Sequence, residues 1–105
     1  MKSVTTMEAV AQPTRLEIVR LIWDRERAAG EIAGAFDLSF GAISQHLRVL
    51  RDAGVVSVRR EWRQRHYCVR KEALGALADY LESMWRDRLG ALKRAAEAER
   101  RTHAR

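Results

Sequence analysis

The chain has 105 residues, with 20 Lys and Arg against 14 Asp and Glu, a formal net charge of +6, one Cys and one Pro. A length typical of one small domain excludes a large catalytic cleft between two domains, and 47% apolar with 32% charged residues excludes a disordered basic tail. No run approaches the roughly 20 apolar residues of a membrane helix, residues 1–15 lack a signal-peptide stretch and one Cys cannot close an internal disulfide, so a cytoplasmic protein is expected.

The charge is unevenly placed. Residues 1–54 hold seven basic and seven acidic side chains, and residues 72–105 hold seven and six. From Val55 to Lys71 there are six basic residues, Arg59, Arg60, Arg63, Arg65, Arg70 and Lys71, against Glu61 alone. Such a local cluster is the footprint of one surface meeting phosphate or anionic lipid.

In chain order, Thr6 to Val10 suggests a short helix packed outside the core. Pro13 suits a first helical turn, and Leu16, Val19, Ile22 and Trp23 recur at helical spacing, predicting a buried helix to about Arg27. Gly30 to Phe36 gives a second short helix, with Ile32, Ala33 and Phe36 on one face, ending in a turn at Asp37-Leu38. Ser39 is an N-cap candidate, because its hydroxyl can accept from the free amides of the following turn. The helix it starts has Ile43, Leu47 and Leu50 as its buried stripe and stops at Gly54, which suits a left-handed C-terminal cap. Its other face is small and polar: Gly41, Ala42, Ser44, Gln45, His46 and Arg48. Two helices joined by a short turn over about residues 30–54 make a helix-turn-helix.

After Gly54 the pattern changes to period two. Val56 and Val58 alternate with Ser57 and Arg59, Tyr67 and Val69 alternate with His66 and Cys68, and Glu61-Trp62-Arg63-Gln64 lies between them. This predicts a two-stranded hairpin with a charged tip over about residues 55–70. From about Lys71 to residue 99 a helical pattern returns, with Leu74, Leu77, Leu81, Met84, Trp85, Leu89, Leu92 and Ala96 stepping by three and four, close to a heptad seam. Roughly 28 residues of helix span about 42 Å, against a radius of gyration of about 13 Å for a compact 100-residue domain. Part of the apolar stripe must find another chain, and a second copy across a two-fold axis is the economical answer. The expected architecture is mainly α with a two-stranded β wing: one winged helix-turn-helix domain over residues 1–105, dimeric through its N- and C-terminal helices.

A helix entered through a short turn and followed by a basic hairpin places two nucleic-acid readers side by side. The N-terminal half of the helix can enter a major groove about 12 Å wide, and the hairpin arginines can reach the adjacent backbone or minor groove.

The stretch from Ala28-Ala29-Gly30-Glu31-Ile32-Ala33 through Ser39-Phe40-Gly41-Ala42-Ile43-Ser44-Gln45-His46-Leu47 to Leu50, Ala53 and Gly54 closely resembles the recognition motif of the ArsR/SmtB family of bacterial winged-helix repressors. Pro13-Thr14-Arg15-Leu16-Glu17-Ile18 and Arg59-Arg60-Glu61 to Tyr67 match in order and spacing, so the resemblance covers about residues 7–70. It implies a dimeric winged-helix fold that binds a pseudo-two-fold operator and represses transcription until an effector arrives. Carried over by position, it makes Ser39, Phe40, Gly41, Ala42, Ser44, Gln45, His46 and Arg48 the groove-contact candidates. Gln45 is the leading base reader, since its amide can pair two-fold with adenine. Arg59, Arg60, Arg63 and Arg65 are the wing candidates. One departure concerns the wing tip, where the family commonly carries Gly and this chain has Trp62, a residue that does not easily adopt positive φ. Its indole either stacks on a sugar-phosphate backbone or folds back on the hairpin. Along the last helix, the run from Tyr80 to Leu92 is similar to a subgroup without metal ligands, in which Leu74, Leu77, Leu81, Met84, Trp85, Leu89 and Leu92 would form the dimer seam.

The family's metal-sensing patterns need clustered cysteines near the recognition motif, or paired His and carboxylate ligands on the last helix. Glu31 to Phe36 offers no cysteine, and the last helix carries carboxylates such as Asp79, Glu82 and Asp87 but no His before His103, so no metal or cofactor is expected. Cys68 is predicted on the outer side of the hairpin. No glycine-rich phosphate loop, Ser/His/Asp arrangement or Cys with a placed base is present, so no enzymatic activity is expected. The expected function is that of a homodimeric repressor on an inverted-repeat operator. The alternatives are a protein-interaction module on the same scaffold and a metal- or thiol-responsive repressor.

Overall fold

The computed structural model describes the backbone of residues 5–103, and within it all side chains but those of 89–93 and 100–103. Two compact units are present, one to Leu74 and one from Gly75.

The first unit opens with α1, Thr6–Ala11, whose N-terminus is capped by Thr5, its hydroxyl accepting from the Glu8 amide at 3.1 Å. In contrast to the expectation of a helix outside the core, Ala9 and Val10 are buried. Five residues are too few to display a helical stripe, so the sequence could not show this. α2, Pro13–Leu21, is capped by the Gln12 side chain accepting from the Arg15 amide, and has Pro at its first position; a Pro amide would be unpaired there in any case. It ends at Leu21 and not near Arg27. Ile22 and Trp23 continue the helical spacing and are buried, but they occupy the turn that follows, held by Ile22 N–H to the Ile18 carbonyl and Trp23 N–H to the Arg20 carbonyl.

That turn leads into a strand the sequence did not announce, β1, Arg27–Ala28. Two residues cannot show an alternation, and only pairing reveals them. α3, Ala29–Gly34, buries Ile32 and starts where the Glu31 carboxylate accepts from the Ala28 amide. After the turn comes α4, Phe40–Asp52, with Ser39 as its cap and Ile43, Leu47 and Leu50 buried, as the spacing predicts. Thr6 of α1 donates its hydroxyl to the Ala53 carbonyl at 3.4 Å, docking α1 at the end of α4.

The C-terminus of α4 decides where the hairpin points. Gly54 has φ +80, its N–H meets the Arg51 carbonyl at 3.0 Å, and Val55 N–H reaches back to Leu50 at 2.9 Å. This is the Schellman arrangement, with the apolar contact that usually accompanies it supplied by Leu50 and Val55, both wholly buried. The Val55 carbonyl then accepts from Arg70 N–H at 2.8 Å. One residue therefore ties the helix end to both sides of the hairpin base.

The hairpin is β2, Val56–Glu61, and β3, Gln64–Val69, antiparallel, with Val58 opposite Tyr67 and Glu61 opposite Gln64. β1 pairs with the other edge of β3, Arg27 opposite Tyr67 and Ala28 opposite His66, giving a three-stranded sheet in the order β1-β3-β2. The two-residue loop is Trp62-Arg63. Trp62 takes φ +60, contrary to the expected reluctance of Trp, and Arg63 does not share the positive φ. Positive φ at the first loop residue alone follows the type II′ pattern, in which that position belongs to Gly.

α5, Lys71–Leu74, closes the first unit. Lys71 Nζ lies 4.8 Å from the Trp23 ring centre and 4.0 Å from Asp24. The second unit is α6, Ala76–His103, a helix of 28 residues. The predicted continuous helix from Lys71 is interrupted at Gly75, φ +57. The apolar positions Leu74, Leu77 and Leu81 step by three and four straight across Gly75, so periodicity gives no mark of the break. Along α6, Ala78, Leu81 and Trp85 are buried.

The two positive-φ positions of the first unit predict stability changes of opposite sign. Gly54→Ala meets nothing closer than the Arg70 guanidinium at 3.8 Å, so its cost is conformational, about 1–2 kcal/mol. Trp62→Gly removes a left-handed conformation from a bulky residue and stabilises the chain by about 1 kcal/mol. Urea unfolding of both variants against the parent measures both.

Candidate nucleic-acid interface

α4 offers its solvent face as a stripe, Gly41, Gln45 and Arg48, all exposed, flanked by half-buried Ala42, Ser44 and His46. The small residues at its start leave the backbone approachable, and the side chains able to reach a base edge lie one turn further on. Phe40 stands at the first turn, a residue 59% exposed. The Ser39 hydroxyl accepts from Ala42 N–H at 3.1 Å, which leaves its own hydrogen to donate. The remaining amides of this first turn are helix-terminal N–H groups, suited to an anionic oxygen. The face brings together the eight residues that the sequence singled out.

His46 is held from behind. Arg15 of α2 places Nη1 3.3 Å from His46 Nδ1 and donates Nε to the Ala9 carbonyl at 2.7 Å. A guanidinium has only donors, so Nδ1 must accept, and the neutral ring then carries its hydrogen on Nε2. Burial lowers the His46 pKa from the usual imidazole value, and the Arg15 charge lowers it further. Arg15 belongs to the stretch that resembles the family, yet sequence reasoning gave it no role, because its partner lies 31 residues away.

The wing sorts its cations by face. Arg59 lies on the face of Ser57, Glu61, His66 and Cys68, while Arg60 and Arg65 lie on the face of Val56, Val58, Tyr67 and Val69. Arg59 donates to both carboxylate oxygens of Glu26, in the turn before β1, and at 2.9 Å to Glu61. These bonds raise the Arg59 pKa further and lower that of Glu26, the Arg59 hydrogen bond being the main cause at Glu26. Arg70 pairs with Glu72 at 3.3 Å, and Lys71 is engaged with Trp23 and Asp24. Among the described residues Arg60, Arg63 and Arg65 have no ion pair. Arg60 and Arg65 are moreover cross-strand partners, an opposition of like charges that destabilises a free sheet. Sequence reasoning missed Glu26, which no motif marks and which only the pairing of β1 brings beside β2.

A reading helix clamped to a basic hairpin has counterparts among known proteins. A family model described as bacterial regulatory protein, arsR family, matches residues 12–58. The chain belongs to the ArsR family. It is similar to the transcriptional activator HlyU of Vibrio cholerae, 32% identical over 84 residues, which cover 80% of this chain and 78% of HlyU. It is also similar to the transcriptional repressor SdpR of Bacillus subtilis, 34% identical over 64% of this chain and 74% of SdpR. The solved structure of HlyU from Vibrio cholerae N16961 superposes with a TM-score of 0.69 at 32% identity, covering 75% of this chain and 86% of that one. The ArsR-family chain described here is a winged-helix, DNA-binding transcriptional regulator and not an enzyme. Its sheet carries one strand more than the two-stranded wing expected from the sequence.

The residues expected in a dimer seam are spread over both units. Leu74 of α5 is buried; on α6, Leu81 and Trp85 are buried, and Leu77 and Met84 are half-buried. The side chains of Leu89 and Leu92 lie outside the described residues. Cys68 is exposed on the outer face of β3, as predicted, with Sγ 3.7 Å from the Val69 carbonyl. Among the described residues no three His, Cys, Asp or Glu side chains are grouped to hold a metal ion, and no helix is long and apolar enough to cross a membrane.

The Glu26 carboxylate yields a pH prediction. Its folded pKa is lowered, so its contribution to stability is present above the ordinary carboxylate range and is lost as pH falls through the folded value. Glu26→Gln therefore lowers the unfolding midpoint at about pH 6, and the difference from the parent narrows as pH falls through and below the ordinary carboxylate range. Thermal unfolding across that range checks both the sign and the narrowing.

Proposed function

We propose that this ArsR-family chain acts as a cytoplasmic homodimer that binds an inverted-repeat operator and represses the adjoining promoter. Each copy would lay the first turns of α4 in a major groove, with the two reading helices about 34–36 Å apart. In this reading Gln45 pairs with a base edge, Gly41 and Ala42 allow close approach, Phe40 packs against the groove wall, and Ser39, Ser44 and Arg48 engage the backbone. His46 offers the Nε2 hydrogen that the Arg15 contact leaves to it. Arg60, Arg63 and Arg65 reach phosphate, while Arg59 holds the hairpin in place through Glu26. The seam would draw on Leu74, Leu77, Leu81, Met84, Trp85, Leu89 and Leu92.

The observation that carries the reading is the opposition of Arg60 and Arg65 at the wing, without carboxylate partners among the described residues. A repulsive pair is kept where an outside anion relieves it, and a phosphate backbone supplies that anion at regular spacing. Repression is favoured because occupancy of a promoter is sufficient for it, and the relative SdpR is named a repressor.

Binding to a fluorescent duplex from the chain's own promoter, against random duplex of equal length, tests the proposal. The expected results are preference for the promoter, a stoichiometry of two chains per duplex, and higher reporter expression when the chain is absent. Equal binding of both duplexes would overturn the operator reading. Alanine at Arg60, Arg63 or Arg65 reduces the log–log salt slope by about 0.9 for each phosphate that is no longer neutralised, twice that in a dimer. Arg59→Ala lowers affinity with a smaller change in slope.

A further inference from the structure

The chain has three Trp, of which Trp23 and Trp85 are buried and Trp62 is 94% exposed. The sequence left two fates for Trp62, and the second, folding back on the hairpin, is excluded by that exposure. An indole standing in water forgoes the largest apolar burial available to a side chain, and here it also holds φ +60. A Gly at this position would avoid both penalties. Nothing within the first unit offsets them, which points to a partner outside the chain.

The surroundings of Trp62 restrict what that partner can be. Its loop is two residues long, the narrowest connection between antiparallel strands, so the tip projects as a thin blade. Arg63 is the other loop residue, and the Arg60 and Arg65 pair lies two positions back on the strands, behind Gln64 and the Glu61 that Arg59 holds. All three guanidiniums lack ion pairs among the described residues. The blade therefore ends in one flat apolar surface edged by three free cations. It complements a partner that is densely anionic along two rails and apolar between them, which is the minor groove of duplex DNA, walled by deoxyribose and lined with phosphate. Apolar side chains placed in that groove pack on the sugars or wedge between base steps.

We propose that Trp62 is a DNA-contacting residue of the wing, its indole packed on the deoxyribose walls of the minor groove beside the major groove that α4 enters, with Arg60, Arg63 and Arg65 on the flanking phosphates. This rests on the reading of the wing as a DNA surface. It adds that the wing distinguishes sites by how readily the minor groove admits an indole, a readout of DNA shape and not of base edges.

Trp62 is its own reporter, because the other two indoles are buried. Acrylamide quenching of tryptophan emission in the full-length chain is expected to be strong in the free protein and to fall on adding duplex, whether promoter or random. Distamycin, which fills the minor groove, should restore quenching. Trp62→Ala and Trp62→Gly should weaken duplex binding about 10-fold, and Trp62→Phe should recover most of the loss. The Gly variant separates contact from folding, since it is expected to be more stable than the parent yet to bind less well. Unchanged affinity of the Ala and Gly variants, an indole still open to acrylamide on duplex, or protection that persists with distamycin would each overturn the proposal. Equal protection by polyglutamate at the same salt would do so too, by making the tip a general polyanion or protein contact. Because quenching is read on random duplex as well, failure of operator preference leaves this test intact.

Discussion

The structure of the first unit depends on the backbone of a single residue, Val55. Its N–H closes the end of α4 on Leu50 and its carbonyl receives Arg70 from the far side of the hairpin. A reading helix and a wing contribute to one binding event only if their separation is fixed beforehand, since ordering a loose hinge would subtract from affinity. The two hydrogen bonds of Val55, with its wholly buried side chain and the left-handed Gly54 before it, leave the hinge no free dihedral of consequence. Arg59 makes the second tether, joining the hairpin to the turn before β1 through Glu26. The first clamp is buried and insensitive to solution conditions, whereas the second is exposed and responds to acid.

Some of this was written plainly in the sequence. α4 was legible because Ser39, the Ile43-Leu47-Leu50 stripe and Gly54 state a start, a face and a stop within sixteen residues. The hairpin was legible because two runs alternate at period two around a polar centre. Elements that exist only through pairing were not legible: β1 has two residues, and its pairing with β3 spans about forty positions. α1 was recognised as a helix but placed outside the core, since Ala9 and Val10 alone cannot define a face. Ile22 and Trp23 misled in the opposite way, continuing a helical spacing into a turn because burial needs only direction.

The candidate interface shows the same division. Composition located the positive charge between Val55 and Lys71, but a linear count gives every arginine equal weight. Pairing and face separate them. Arg59 is engaged with Glu26 and Glu61, Arg70 with Glu72, and Lys71 with Trp23 and Asp24. What remains is a cluster of three at the tip. Partners such as Glu26 and Arg15, which act through another residue, carry no motif, because their chemistry is defined by what they touch.

The facing of Arg60 and Arg65 across β2 and β3 makes dissolved salt act on the wing in two opposite senses. In the free chain, counterions screen the repulsion between the two guanidiniums, so a rise in ionic strength tightens the hairpin end. In the proposed complex an anionic rail would sit between them, and the same counterions would compete for it and loosen the binding. On the proposed reading, the repulsion is least screened in dilute buffer, the medium in which attraction to polyanions is greatest, and docking would relieve it.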